Sequence, residues 1–304
     1  MEDAGMSTPA PAIQTSSRPW LVTGVQGQLG RALRALGPAR GIDVQGLSRP
    51  ELDITDSDAF RRTIDRIEPA VVVNCAALTK VDLCEERPEE AQRVNALAPE
   101  ALARACVGRT SLVHVSTEYV FDGRGNRPLS EDAPTAPISV YGRTKLAGER
   151  AVLASGAEAL VVRTQWVFGA GACFPRTIRQ LAATQAELRV VEDQIGRPTW
   201  TGALADGIFR AVAAGARGRL HLACEGIASW YDFAREVVAA GARRGWNPLV
   251  PVRAVSTEDF PRPAARPAYA VLGLARARAL GIEMPHWRDA LGAFMDAEDG
   301  HRDA

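Results

Sequence analysis

A short apolar run, Trp20 to Thr23, stops at three evenly spaced glycines, Gly24, Gly27 and Gly30, and a stretch of helical periodicity, Gln28 to Leu36, takes over at once. No other feature of the chain restricts its fold as much. An apolar strand that enters a glycine turn and leaves as a helix is the opening unit of a parallel α/β sheet. The N–H groups of such a turn and the positive end of the helix converge on one point, where a pyrophosphate binds. The spacing is Gly-x-x-Gly-x-x-Gly rather than Gly-x-Gly-x-x-Gly, and a purely structural turn is the alternative.

The next part of the chain repeats the pattern. Ile42 to Leu47 reads as a second strand, and a helix capped by Thr55 or Asp56 runs to Ile67. Val71 to Cys75 is a nearly continuous apolar run, as a strand covered on both faces must be. A long helix follows from about Glu89 to Cys106, with Asn95 inside it as a packing or kink residue. Ser111 to Ser116 and Leu160 to Arg163 read as further buried strands. The fold class is therefore α/β, a Rossmann-type doubly wound parallel sheet. It spans residues 18–168 as the dinucleotide-binding domain. From Gly169 the alternation loosens. Residues 169–304 read mainly as a smaller α+β substrate-binding lobe, with some segments returning to the first domain. Its elements are a strand at Val190, helices over Ala203–Ala214 and Trp230–Arg243, a short strand at His221–Ala223 and a closing helix at Asp289–Glu298. Residues 1–17 are small, polar and Pro-containing, without the basic start and apolar core of a secretory signal, and read as a disordered tail.

The chemistry collects at the carboxyl ends of these strands, where open α/β sheets bind ligands. After the first helix-capped unit comes Arg49, where the adenosine ribose of a dinucleotide would lie. An arginine there accommodates a 2′-phosphate and favours NADPH over NADH, and a solvated loop arginine is the alternative. Asp53 and Ile54 are placed to touch the adenine. The small residues Ala76 and Ala77, with Leu78 and Thr79, let a backbone approach a cofactor. Ser116, Thr117 and Glu118 end a buried strand. Thr117 could hydrogen-bond a substrate carbonyl and Glu118 could bind sugar hydroxyls, or both serve turn chemistry alone. Trp166 follows the next strand and could lie against a sugar or base, or belong to the core.

Tyr141 and Lys145 stand four residues apart in a segment that reads helical as far as Ala154. Positions i and i+4 share a helix face, so both polar heads can reach one site. An ammonium beside a phenol lowers the phenol's pKa, which would tune Tyr141 for proton exchange with a carbonyl or alcohol oxygen. Composition narrows the partners. Lys+Arg and Asp+Glu both count 36, a formal net charge of zero, so neither nucleic acid nor a membrane surface is expected as the main partner. The five cysteines have no metal-ligand spacing and read as reduced packing thiols of a cytoplasmic protein.

Several linked motifs now fall into order: Gly27-Gln28-Leu29-Gly30, Asn74 to Asp82, Ser116 to Gly123, Tyr141 to Glu149, Arg163-Thr164-x-Trp166, Asp193-Gln194-x-Gly196-x-Pro198-Thr199 and Arg266-Pro267. Together they resemble the extended short-chain dehydrogenase/reductase superfamily and, within it, the dTDP-4-dehydrorhamnose reductases and related dTDP-4-keto-6-deoxyhexose 4-ketoreductases. The resemblance implies reduction of a sugar C4 ketone by NADPH, with NADH possible, and no metal in that step. It makes Tyr141 the proton donor, Lys145 the holder of the nicotinamide ribose and Thr117 the partner of the reacting carbonyl. It puts Gly27, Gln28, Leu29, Asp53, Ile54, Ala77, Leu78 and Thr79 around the cofactor. Thr117, Glu118 and Trp166 would contact the sugar nucleotide, and the Pro-rich segment Arg262–Pro267 would wrap the site and bring Arg266 to it. The chain departs from the family at Glu118, usually aspartate, and at Ala268 to Val271, usually polar. The Ala- and Arg-rich composition resembles that of actinobacterial proteins, among which antibiotic deoxysugar enzymes are common. A monomer or homodimer is expected. An epimerase or dehydratase on the same scaffold, or a non-catalytic NADP-binding regulatory subunit, are the other readings.

Overall fold

The computed structural model describes residues 18–299. The tail expected at residues 1–17 lies outside the described residues. Strand β1 (Trp20–Thr23) leads through the glycine turn into helix α1 (Gln28–Leu36), then β2 (Val44–Leu47) and α2 (Ser57–Ile67). Asp56 caps α2, its carboxylate accepting from the N–H groups of Asp58 and Ala59 at 3.1 and 2.9 Å. Strand β3 (Val71–Asn74) is buried along its whole length. Helices α3 (Val81–Glu86), α4 (Pro88–Gln92) and α5 (Ala98–Cys106) follow, and a π-helical turn, Arg93–Leu97, joins α4 to α5. The long helix expected over Glu89–Cys106 therefore exists, with an extra residue bulged at Asn95.

Strand β4 (Ser111–Thr117) is followed by a loop and then by α6 (Val140–Ala154), which carries Tyr141 and Lys145. Ser139 caps α6 by accepting from Gly142 N–H at 3.1 Å. Next come β5 (Ala159–Thr164), β6 (Val167–Phe168), α7 (Phe174–Thr184), β7 (Leu188–Val191), β8 (Ile195–Gly196), β9 (Thr199–Trp200) and α8 (Thr201–Ala213). The chain closes with β10 (Gly218–His221), β11 (Ala228–Ser229), α9 (Trp230–Arg243), β12 (Val252–Val255), α10 (Ala275–Ala279) and α11 (Trp287–Asp299).

The central sheet has six parallel strands in the order β10-β5-β4-β3-β1-β2. The chain reverses direction across the sheet between β1 and β3, and a crevice opens at that switch point. One expectation is corrected here. The strand placed at His221–Ala223 is Gly218–His221, and it is the edge of the central sheet, paired with β5. Leu222, Ala223 and Cys224 are fully buried, and their apolar run drew the reading three residues too far. Helix α8 packs on α1 and reaches β1, where the Trp20 ring lies 5.0 Å from that of Phe209. The largest apolar cluster runs from Trp20 and Val73 through Phe168 and Phe209 to Phe233, Trp287 and Phe294. One core thus runs from the central sheet into the segments that follow Gly169.

Candidate active site

A cleft of about 670 Å³ follows the carboxyl ends of β1, β3, β4 and β5. At one end lies the glycine turn. Gly24 has φ +66°, and a Cβ there would stand 2.9 Å from the backbone of Ala76. A Cβ on Gly30 would stand 2.6 Å from Gly24 O and Val25 Cα. The turn closes only without side chains, and the strands β1 and β3 approach each other through it. No side chain caps the N-terminus of α1, so its first N–H groups remain for an anion. Gln28 reaches back to Ala172 O at 3.0 Å, while its buried Oε1 has no partner. These features fit a dinucleotide pyrophosphate.

Arg49, Asp53 and Ile54 line the same cleft beyond Gly24, Gly27, Leu29 and Gly30. Arg49 lies 3.8 Å from Asp53 and is mostly exposed. The Thr55 backbone N–H and hydroxyl hold the Asp53 carboxyl below its ordinary pKa range. Ala77, Leu78 and Thr79 line the opposite wall. Asn95 clamps this wall. Its Oδ1 accepts from Leu78 N–H at 2.8 Å, and its Nδ2 donates to Leu78 O at 3.0 Å and to Thr144 on α6 at 3.3 Å. Sequence reasoning took Asn95 for a packing or kink residue. It sits in the π-helical turn, and its amide bonds the loop at Leu78. A polar residue at a helix-interior position was the only signal available.

The far end of the cleft holds Thr117, Glu118, Tyr119, Tyr141, Lys145 and Trp166 together. The Thr117 hydroxyl donates to Glu118 Oε2 at 2.7 Å and accepts from Tyr119 N–H at 3.3 Å. Tyr119 packs edge-on against Tyr141, with ring centroids 5.3 Å apart. Lys145 Nζ donates to Val115 O at 2.7 Å, and burial pulls its pKa down to about 8 against the raising effect of Glu149. The expected lowering of the Tyr141 pKa by Lys145 is not found. Burial, and then the Glu118 carboxylate, push the phenol well above its ordinary value. Tyr141 is therefore held as a neutral phenol, a form that can give up a proton.

Trp166 adopts φ +47° and stacks on Trp230, with centroids 3.8 Å apart and planes 10° apart. Both rings line the cleft, and Trp230 was not anticipated, because nothing local marks a residue at the start of a distant helix. Gly196 is the space that admits the Trp166 ring, since a Cβ there would meet it at 2.5 Å. Arg266 does not line the cleft. It forms a two-pronged pair with Asp82 at 3.0 and 2.9 Å and fastens the Pro-rich segment to α3. The apolar segment Ala268 to Val271 also avoids the cleft. Ala270 and Val271 are buried, and its backbone bonds to Ile195 N–H, Leu129 N–H and Gln165 Nε2. That departure changes packing beneath the site rather than its lining. Among the described residues no group of acidic, histidine and cysteine side chains is arranged to hold a metal.

This arrangement can hold a dinucleotide from its pyrophosphate to its nicotinamide end and give a proton beside that end. The model of the family described as "RmlD substrate binding domain" matches residues 18–299. The chain belongs to that family. The RmlD-family relatives include a dTDP-4-dehydrorhamnose reductase of Mycolicibacterium smegmatis, 44% identical over 89% of this chain and 83% of the relative. A Streptomyces antibioticus protein named as a probable dTDP-4,6-dihydroxy-2-methyloxan-3-one 4-ketoreductase is also 44% identical, over 91% of this chain and 95% of that one. Among solved structures, a dTDP-4-dehydrorhamnose reductase of Bacillus anthracis in complex with NADP superposes with a TM-score of 0.87 at 33% identity, covering 92% of this chain and 99% of that one.

Proposed function

We propose that this RmlD-family protein reduces the C4 ketone of a dTDP-4-keto-6-deoxyhexose with NADPH. The observation that carries the reading is that Thr117, Tyr141 and Lys145 together line the end of a cleft that begins at an uncapped glycine turn. The 44% identical relatives are named as dTDP-sugar reductases, and the NADP complex is of one such enzyme. When bound, NADPH would supply the hydride taken up at the sugar C4. Gly24, Gly27, Gly30 and the α1 N-terminus would hold its pyrophosphate, Arg49 its 2′-phosphate, and Asp53 and Ile54 its adenine. Lys145 would hold the nicotinamide ribose, and Ala77, Leu78 and Thr79 would line the cofactor. Tyr141 gives its phenolic proton to the C4 oxygen as negative charge grows there. Thr117 orients that oxygen and the phenol together. The stacked indoles of Trp166 and Trp230 present a flat apolar face for the sugar nucleotide. The reaction is cytoplasmic, where NADPH is supplied, and the chain acts as a monomer or homodimer.

The test follows NADPH oxidation by absorbance with dTDP-4-dehydrorhamnose, with NADH run beside it. Fast oxidation is expected, and Arg49→Ala is expected to narrow the NADPH/NADH preference. Tyr141→Phe should lower kcat by about 10²–10⁴-fold. Near-wild-type turnover by that variant would remove the acid role from Tyr141.

A further inference from the structure

Trp166 sits in the link between β5 and β6 with φ +47°. Among the described residues the other non-glycine residue of positive φ is Glu68, which ends helix α2, an ordinary place for left-handed backbone. No helix end explains Trp166. A bulky side chain on such backbone is strained, and it keeps that conformation only where its surroundings fix it. The backbone is tied by Thr199 N–H, which donates to Trp166 O at 3.1 Å. Two neighbours set the indole. Gly196 leaves the slot that admits it, and Trp230 stacks on it with centroids 3.8 Å apart. Both neighbours come from one pair of strands, since Gly196 on β8 lies opposite Ala228 on β11, just ahead of Trp230. Trp230 is itself anchored. Ser229 and Asp232 form a reciprocal cap at the start of α9, each side chain accepting from the other's N–H at 3.0 Å. The Phe174 ring on α7 packs tilted against Trp230, with centroids 4.5 Å apart.

We propose that Trp230 is a positioning residue for the reduction: it holds the Trp166 indole in the cleft wall, and Trp166 in turn seats the sugar nucleotide. The inference rests on the ketoreductase reading above. Trp230 acts through its neighbour. The gain from stacking two half-buried indoles is of the same order as the strain of a bulky residue at positive φ. Removing the stack therefore tips Trp166 toward ordinary backbone and swings its indole out of the wall. The loss falls on the sugar nucleotide. The glycine turn, Arg49 and Asp53 lie at the other end of the cleft, so the grip on NADPH stays nearly as it was.

The experiment is a double-mutant cycle in the full chain, with Trp166→Leu, Trp230→Leu and the two combined, read by initial rates with NADPH and dTDP-4-dehydrorhamnose. Trp230→Leu should raise the KM for the sugar about tenfold, while kcat falls by less than about threefold. Trp230→Phe, which keeps a stacking ring and its packing on Phe174, should recover most of that KM and keeps the cycle readable if the leucine variant does not fold. The dissociation constant of NADPH, followed by its fluorescence, should change by less than about twofold. In the Trp166→Leu background either change at Trp230 should add less than about twofold to the KM, because the residue through which it acts is gone. Paired indoles couple their far-ultraviolet transitions, and the resulting circular-dichroism couplet should be lost alike from Trp166→Phe and Trp230→Phe. Titration with dTDP-rhamnose, the product of that reduction, should follow the KM series without turnover. An unchanged KM in the Trp230 variants, or rises that multiply in the double variant, would overturn the positioning role and leave the reductase reading intact. Absence of NADPH oxidation by the wild type would overturn the reductase reading, and the same cycle read in dTDP-rhamnose affinity would still decide the role of Trp230. Absence of dTDP-rhamnose binding as well would overturn both.

Discussion

At the scale of the residue, Lys145 and Tyr141 show how burial outweighs a nearby charge. Four residues of helix do bring the two side chains to one cleft. Both are nevertheless shifted toward their neutral forms, because desolvation is the first cause in each case. Lys145 carries a stability cost that depends on pH. Its folded pKa, about 8, lies below the ordinary lysine value of 10.5. Below about pH 8 both folded and unfolded chains hold the proton, and the full cost of burying the charge applies. Between about 8 and 10.5 the unfolded chain binds more protons, so stability rises with pH across that window. Lys145→Met removes the buried charge but leaves Val115 O without its donor, a loss of about 1–3 kcal/mol that partly offsets the gain. The variant should be at least as stable as the wild type at pH 7, lack the rise between about 8 and 10.5, and have little activity. Urea denaturation at a series of pH values checks this, and a clear destabilisation at pH 7 would contradict it.

Among the elements, the π-helical turn Arg93–Leu97 does most to shape the site. A regular helix would keep the Asn95 amide on its own surface. The extra residue turns it toward Leu78 and Thr144, so one side chain ties the loop at Leu78 to α6. Gly148 permits the contact, since a Cβ there would meet Asn95 O at 2.2 Å. Asn95→Leu leaves the Leu78 N–H unpaired in a partly buried place and its C=O with only the Cys84 thiol. The expected loss is about 2 kcal/mol or more in stability, together with a higher KM for NADPH and a smaller change in kcat. Thermal unfolding and initial-rate kinetics check the two parts. An unchanged KM for NADPH would mean that the loop holds its shape without the clamp.

For the whole molecule, the buried pair Arg163–Glu149 couples α6 to β5 of the central sheet. Arg163 Nη2 lies 2.7 Å from Glu149 Oε2, with side-chain exposures of 1% and 0%. Ser116 donates to the same carboxylate, directly behind Thr117. Arg163 also reaches Glu131 O, and Glu131 accepts from His221 N–H on the edge strand β10. Removing one partner strands a charge. Glu149→Ala should cost about 3–5 kcal/mol, whereas the paired change to apolar residues should cost much less. Because one core runs through both halves, the loss should appear as a lower midpoint of a single transition seen alike by tryptophan fluorescence and far-ultraviolet circular dichroism. Two separated transitions would show that the halves unfold independently.

Much of the architecture was legible from the chain itself. Period, glycine turn and buried apolar runs are local signals, and they marked β1, α1, β3 and α9 to within a residue of their observed ends, and α6 at its C-terminal end. The same signals marked Tyr141, Lys145, Thr117 and the glycines, because a strand end or a helix face already implies where its residues point. Other features depend on contacts between segments far apart in sequence. The sequence could not say that β10 completes the sheet or that Trp230 stacks on Trp166. Nor could it show that Arg266 is taken up by Asp82 rather than by a ligand. The pKa values belong to this second group. A charge four residues away is visible in a sequence, but the desolvation that overrules it is set by everything packed around the site, and only the folded chain supplies that.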